Sequence, residues 1–93
     1  LIGLGDFDGQ AQKAFENPEK VLGAGGSSFK NVVKVTILLR DMANFEKVVT
    51  LRGRYFCEPY PADTIMEVSS LFSQDALIEI EAIAVADNAA VWK

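Results

Sequence analysis

The sequence predicts one α+β domain in which two helices cover one face of a mixed sheet. Two stretches carry apolar residues at helical spacing, and three alternate in the manner of strands. They follow one another as strand end, helix, strand, helix, strand, strand. With 93 residues there is material for one domain, residues 1–93. A chain of this size buries a modest share of its surface, so assembly with other chains is a natural route to further burial.

Each element has its own justification. The opening LIGLG reads as the end of a strand. In the helix that follows, Ala11, Ala14, Phe15, Pro18, Val21 and Leu22 recur at helical spacing. Asp6 or Asp8 can start it, and Gly25 or Gly26 can end it. Pro18 in a helix interior costs about 3 kcal/mol and presses on the Ala14 carbonyl. The helix therefore either kinks there, or a second piece begins with Asn17 as its cap. Residues 32 to 40 are rich in β-branched side chains and read as a strand, with Val33, Val35, Ile37 and Leu39 on its apolar face. Asp41 caps a second helix at about 43 to 56, whose buried stripe is Phe45, Val48, Val49, Tyr55 and Phe56, with Arg52 inside it. CEPYP ends that helix. Residues 62 to 70 form the next strand, with Ala62, Thr64, Met66 and Val68 on one face and Asp63, Ile65, Glu67 and Ser69 on the other. The last strand, LIEIEAIAV, puts Ile78, Ile80, Ala82 and Ala84 on a plain core face.

If the clean apolar faces of all three strands meet the helices, the opposite face has an unusual composition. It carries Lys34, Arg40, Asp63, Glu67, Glu79 and Glu81 among Leu38, Ile65, Ile83 and Val85. That face is too apolar for open water and too charged for a dry core. A wet subunit interface fits both facts, and so does an exposed face laced with cross-strand ion pairs.

Composition excludes several function classes. The net charge is −4, which argues against nucleic acid as the main partner, because phosphate binding needs a basic face. The absence of histidine removes Ser-His and Cys-His nucleophile pairs and histidine metal sites. The single cysteine, Cys57, allows no internal disulfide and fits a reducing, cytoplasmic setting. No basic neighbour in sequence activates it as a nucleophile. No apolar run is long enough to span a membrane, and the N-terminus does not have the pattern of a signal peptide. Asp63, Glu67, Glu79 and Glu81 alternate along strands instead of converging in a loop, so no metal site is expected. GAGGSS follows a helix instead of preceding one and lacks the lysine spacing of a phosphate loop, so it reads as a helix cap. No cofactor is indicated.

The stretches GSSFKNVVKVTILLRDMANFEKV, YPADTIMEVSSL and LIEIEAIAV, in that order, resemble the RidA family. These reactive-intermediate deaminases are also called the YjgF family and are often labelled endoribonuclease L-PSP or translation initiation inhibitor. The resemblance implies a chorismate-mutase-like fold and a homotrimer, with sheets facing a central barrel and small-molecule clefts between neighbouring subunits. It also implies two opening strands, of which only LIGL has a counterpart here.

The deaminase branch of that family hydrolyses enamines and imines such as 2-iminobutanoate and 2-iminopropanoate. Its cleft arginine, in a Pro-Ala-Arg motif, grips the substrate carboxylate bidentately. Here the motif reads Pro61-Ala62-Asp63, with the charge reversed. The glutamate that positions water matches Glu79. A cleft asparagine corresponds to Val49, and a common cysteine corresponds to Ile65. Losing one partner of a buried charge pair costs about 2–5 kcal/mol before repulsion is added. Arg52, one turn beyond Val49, is a candidate replacement cation if it shares that direction; otherwise it lies over the sheet edge. Glu79 as water-positioner competes with Glu79 as the ion-pair partner of Lys34.

Two function classes follow. One is an imine or enamine deaminase with doubtful activity because residue 63 is aspartate. The other is a non-catalytic trimer that binds a small metabolite or serves as an interaction module. The acidic chain without histidine fits a ribonuclease poorly.

Overall fold

The computed structural model describes residues 6–56 and 58–85; the strand end read in LIGLG and the turn placement of Cys57 lie outside the described residues. Helix α1 spans Phe7–Ala24, strand β1 Val32–Leu39, helix α2 Phe45–Tyr55, strand β2 Ala62–Glu67 and strand β3 Ile78–Ala84. Short 3₁₀ turns precede β1 and α2. The strands order as β2-β1-β3, with β2 parallel and β3 antiparallel to β1, which makes the sheet mixed. Both helices share the core on one side of it. The α+β architecture with two helices on one sheet face is thus observed.

α1 starts at Asp6, whose carbonyl accepts from the Gln10 amide at 3.1 Å. It runs through Pro18 as one helix, so no second piece begins at Asn17. Its end is built by glycine. Gly26 takes a φ of +81°. Ser27 N–H then reaches the Leu22 carbonyl at 2.7 Å and Gly26 N–H reaches that of Gly23 at 3.2 Å, a pair of bonds that satisfies the last turn. Any side chain at Gly26 would be strained in that conformation. Asp41 caps the 3₁₀ turn before α2, its Oδ1 accepting from Ala43 N–H at 2.9 Å.

Phe15 is fully buried at the centre of the core, stacked on Tyr55 with ring centroids 4.9 Å apart. Phe56 meets it edge-on at 6.4 Å, and Phe29 packs against both Tyr55 and Phe56. Val35, Ile37, Leu39 and Val48 are also fully excluded from water. Three side chains expected inside are exposed: Val21, Val33 and, to a lesser degree, Phe45. Val33 is displaced by a β-bulge. Val32 pairs with Ala84 and Lys34 with Ile83, so Val33 is the extra residue. Val32, 6% exposed, takes the inward place, and Val33 is 51% exposed.

The larger correction concerns β2. Asp63 lies beside Val35, Ile65 beside Ile37 and Glu67 beside Leu39. Paired residues of neighbouring strands point to the same face, so Asp63, Ile65 and Glu67 are on the helix side. Ala62, Thr64 and Met66 are on the open side, the reverse of what composition suggested. Three interactions fix this register. Ile65 packs against the core. The Glu67 Oε1 accepts from Met42 N–H at 2.7 Å, holding the turn before α2. Asp63 meets Arg52 of α2.

Candidate functional site

Three residues singled out in the sequence line one cavity. Val49 and Arg52 come from α2 and Asp63 from β2, and Gly53, Phe56, Tyr60 and Pro61 complete a space of about 380 Å³. The geometry follows from the helix period. Val49 and Arg52 are three positions apart, which puts both on the flank of α2 facing the edge strand. Proline and aromatic residues between α2 and β2 close the far wall.

The Arg52 guanidinium forms an ion pair and hydrogen bond with the Asp63 carboxylate. The two side chains retain 29% and 23% of their exposure, so they line the cavity without being sealed from it. Arg52 shares this cavity with Val49, and in pairing with Asp63 it lies over the edge strand β2. The cavity keeps a guanidinium, but this one arrives from the helix and already holds a carboxylate. Among the described residues, the other ion pairs are Lys13–Glu16 and Lys47–Asp8, both remote from this cavity.

Ile65, the position of the family's cysteine, packs against the core and is absent from the described lining. Glu79 is on the other side of the sheet. It lies beside Leu38, whereas Ile78 and Ile80 lie beside Leu39 and Ile37 on the helix side. Within one copy of the chain, Asp63 and Glu79 do not share a cleft. Nor does Glu79 pair with Lys34, which lies beside Ile83 and Ala62 instead. Glu79 borders a different space of about 590 Å³ between β3 and α1.

A residue that sequence reasoning missed braces the backbone ahead of β3. Gln10 is 7% exposed, the one buried polar side chain among the described residues. Its Nε2 donates to the Asp75 carbonyl at 3.1 Å, and its Oε1 accepts from Leu77 N–H at 2.9 Å. This bridge ties α1 to the backbone two residues before Glu79. Its signal was available: Gln10 precedes Ala11 and is three and four residues from Phe7 and Ala14 on the apolar side of α1, where a polar residue needs a partner.

No group of three or more metal-binding side chains occurs among the described residues. No described helix is long and apolar enough to cross a membrane.

The sequence profile of endoribonuclease L-PSP matches residues 1–86. The chain belongs to the endoribonuclease L-PSP family, the RidA/YjgF group. The RutC family protein PH0854 of Pyrococcus horikoshii is 45% identical over 83 residues, covering 89% of this chain and 65% of that protein. The human 2-iminobutanoate/2-iminopropanoate deaminase is 38% identical over 76 residues, covering 82% of this chain and 55% of the enzyme. The crystal structure of YEO7 from yeast superposes with a TM-score of 0.81 at 32% identity, covering 87% of this chain and 64% of that one. The chain thus spans less than two thirds of these family members. The fold of this RidA-family chain is that of its solved relatives.

Proposed function

We propose that this RidA-family chain binds small carboxylate-bearing molecules in the Arg52 cavity and hydrolyses 2-imino acids slowly. The observation that carries this is the Arg52–Asp63 pair. The cavity holds a cation suited to a carboxylate, and that cation is already neutralised. A substrate carboxylate must share or displace Asp63, which repels it. Likeness to the human deaminase supports the imino-acid class of ligand. Assembly into a homotrimer, which the family resemblance implies, supports a role for Glu79. Because Glu79 points away from the Arg52 cavity of its own copy, it would meet such a cavity from a neighbouring copy. There it would place water against the imine carbon, in the manner of the family's glutamate.

Hydrolysis of freshly generated 2-iminobutanoate, followed by competition with semicarbazide, tests the proposal. The native protein should be slow. Asp63→Asn removes the competing charge while keeping the side chain's shape, and should raise kcat/KM. A charge-assisted hydrogen bond contributes about 1.5–3 kcal/mol, which corresponds to about a ten- to hundredfold gain. Glu79→Gln on that background should abolish the gain. A fast native protein, or a folded Asp63→Asn variant without any gain, would overturn the proposal.

A further inference from the structure

We propose that the Arg52 cavity selects molecules carrying both a carboxylate and an ammonium, so that its ligand class is the small aliphatic α-amino acid. This rests on the reading of the cavity as a small-molecule cleft. It does not depend on whether that cleft supports hydrolysis.

The argument comes from charge placement. Arg52 and Asp63 are the charged groups among the described residues that line the cavity, and they stand in direct contact at its wall. A simple carboxylate arriving here puts two negative groups on one guanidinium, and these repel. A simple amine can approach Asp63 only by crowding Arg52. A zwitterion meets neither obstacle. Its carboxylate can take the donors of the planar five-N–H guanidinium that Asp63 leaves free. Its ammonium can take the second oxygen and remaining lone pairs of Asp63. Positive and negative groups then alternate around the ring of four. Selection against ions of a single sign comes from the repulsive partner that each would meet.

The rest of the lining fits the same class. Val49, Phe56 and Pro61 offer apolar surface next to the pair, and Tyr60 adds an aromatic wall. An aliphatic side chain of two to four carbons would lie there. At about 380 Å³ the space has room for such a molecule. Val49 matters for this choice, since an apolar side chain at that position leaves recognition to the charge pair. An α-amino acid has a tetrahedral carbon where an imine has its electrophilic C=N. It is therefore held without being hydrolysed, and it competes with imino acids for Arg52.

Nuclear magnetic resonance titration of the native protein with 2-aminobutanoate, butanoate and propylamine tests the proposal. The three probes have similar carbon chains and differ in charge. The readouts are the Arg52 side-chain Nε–H signal and the backbone amides of 49–53 and 62–64. The expected result is that 2-aminobutanoate binds at least about tenfold more tightly than either singly charged probe. Asp63→Asn should reverse the order in favour of butanoate, and Arg52→Gln should reverse it in favour of propylamine. Butanoate binding the native protein as tightly as 2-aminobutanoate would overturn the proposal, as would titrations that leave the signals around this cavity unmoved. The comparison within the native protein decides the matter even if a variant fails to fold. Strong zwitterion selection without imine hydrolysis would leave this inference standing while the hydrolytic reading falls. Hydrolysis without selection would do the opposite.

Discussion

Replacing Gln10 by leucine should cost far more stability than an exposed glutamine two positions away would suggest. Gln10 is buried, and its amide links α1 to the Asp75 carbonyl and the Leu77 N–H across 65 and 67 residues of sequence. Leucine has nearly the same volume, so no large cavity forms, and its apolar contacts recover part of the loss. It cannot pair with either backbone group. A buried polar group left without a partner costs about 1–3 kcal/mol. Two such groups, partly compensated by water at the half-buried Leu77, set the expected loss at about 2–4 kcal/mol. Domains of this kind are stable by only about 5–15 kcal/mol, so the loss is a large share. Gln12→Leu is the internal control. Among the described residues the Gln12 Nε2 bonds to Glu16 on the same helix, at 3.0 Å and exposed, and its loss should stay within about 0.5 kcal/mol. Urea unfolding at one fixed protein concentration reads both variants, the fixed concentration being needed because assembly adds to apparent stability. A Gln10→Leu loss no larger than that of Gln12→Leu would refute the reasoning, showing that the bridge exchanges with water at no cost.

Three further outcomes follow from the packing and the charges. Phe15→Ala should lose about 3–5 kcal/mol in the same urea assay, because a fully buried ring stacked on Tyr55 is removed from the centre of the core. Burial first, and then the nearby Glu16 and Glu19 carboxylates, raise the Tyr55 phenol above the ordinary tyrosine value of 10.0, against a smaller opposing effect of Arg54. The folded state then holds this proton more tightly than the unfolded chain. Its contribution to stability is complete below the unfolded value near 10 and is lost as pH rises through the raised folded value. Ultraviolet titration of the native protein against Tyr55→Phe should show the missing phenol as one that ionises late, and an ordinary titration for it would count against the account. Light scattering should find the native chain as a trimer, held through the open sheet face. Met66, 45% exposed, and Ile83, 60% exposed, lie on that face near Glu79 and Glu81. Changing both to glutamate should yield monomers by like-charge repulsion, and a native monomer at micromolar concentration would remove the assembly from the proposal.

The sequence by itself determined the kind and order of the elements. Local pattern is enough for that: β-branched alternation in 32–39, helical spacing around Phe15 and Val48, Asp41 as a cap and Gly26 as a stop all act within a few residues of themselves. It also determined family membership, because motifs such as NVVKVTILLRDMANF and IEIEAIAV are written in chain order. Which face of β2 turns inward was decided by tertiary structure alone. Ala62, Thr64 and Met66 look like the apolar face when read in isolation, but a six-residue edge strand buries little on either side. Its register is therefore settled by what lies across from it: Ile65 against the core, Glu67 on the turn before α2, and Asp63 on Arg52. The candidate site shows the same division. That residue 63 is acidic where the family has arginine was legible in the sequence. That Arg52 would answer it, and that Glu79 would fall on the opposite side of the sheet, depended on long-range pairing. Side-chain alternation has a period of two, so a single bulge or a one-residue change of register moves a whole strand's charges from one face to the other.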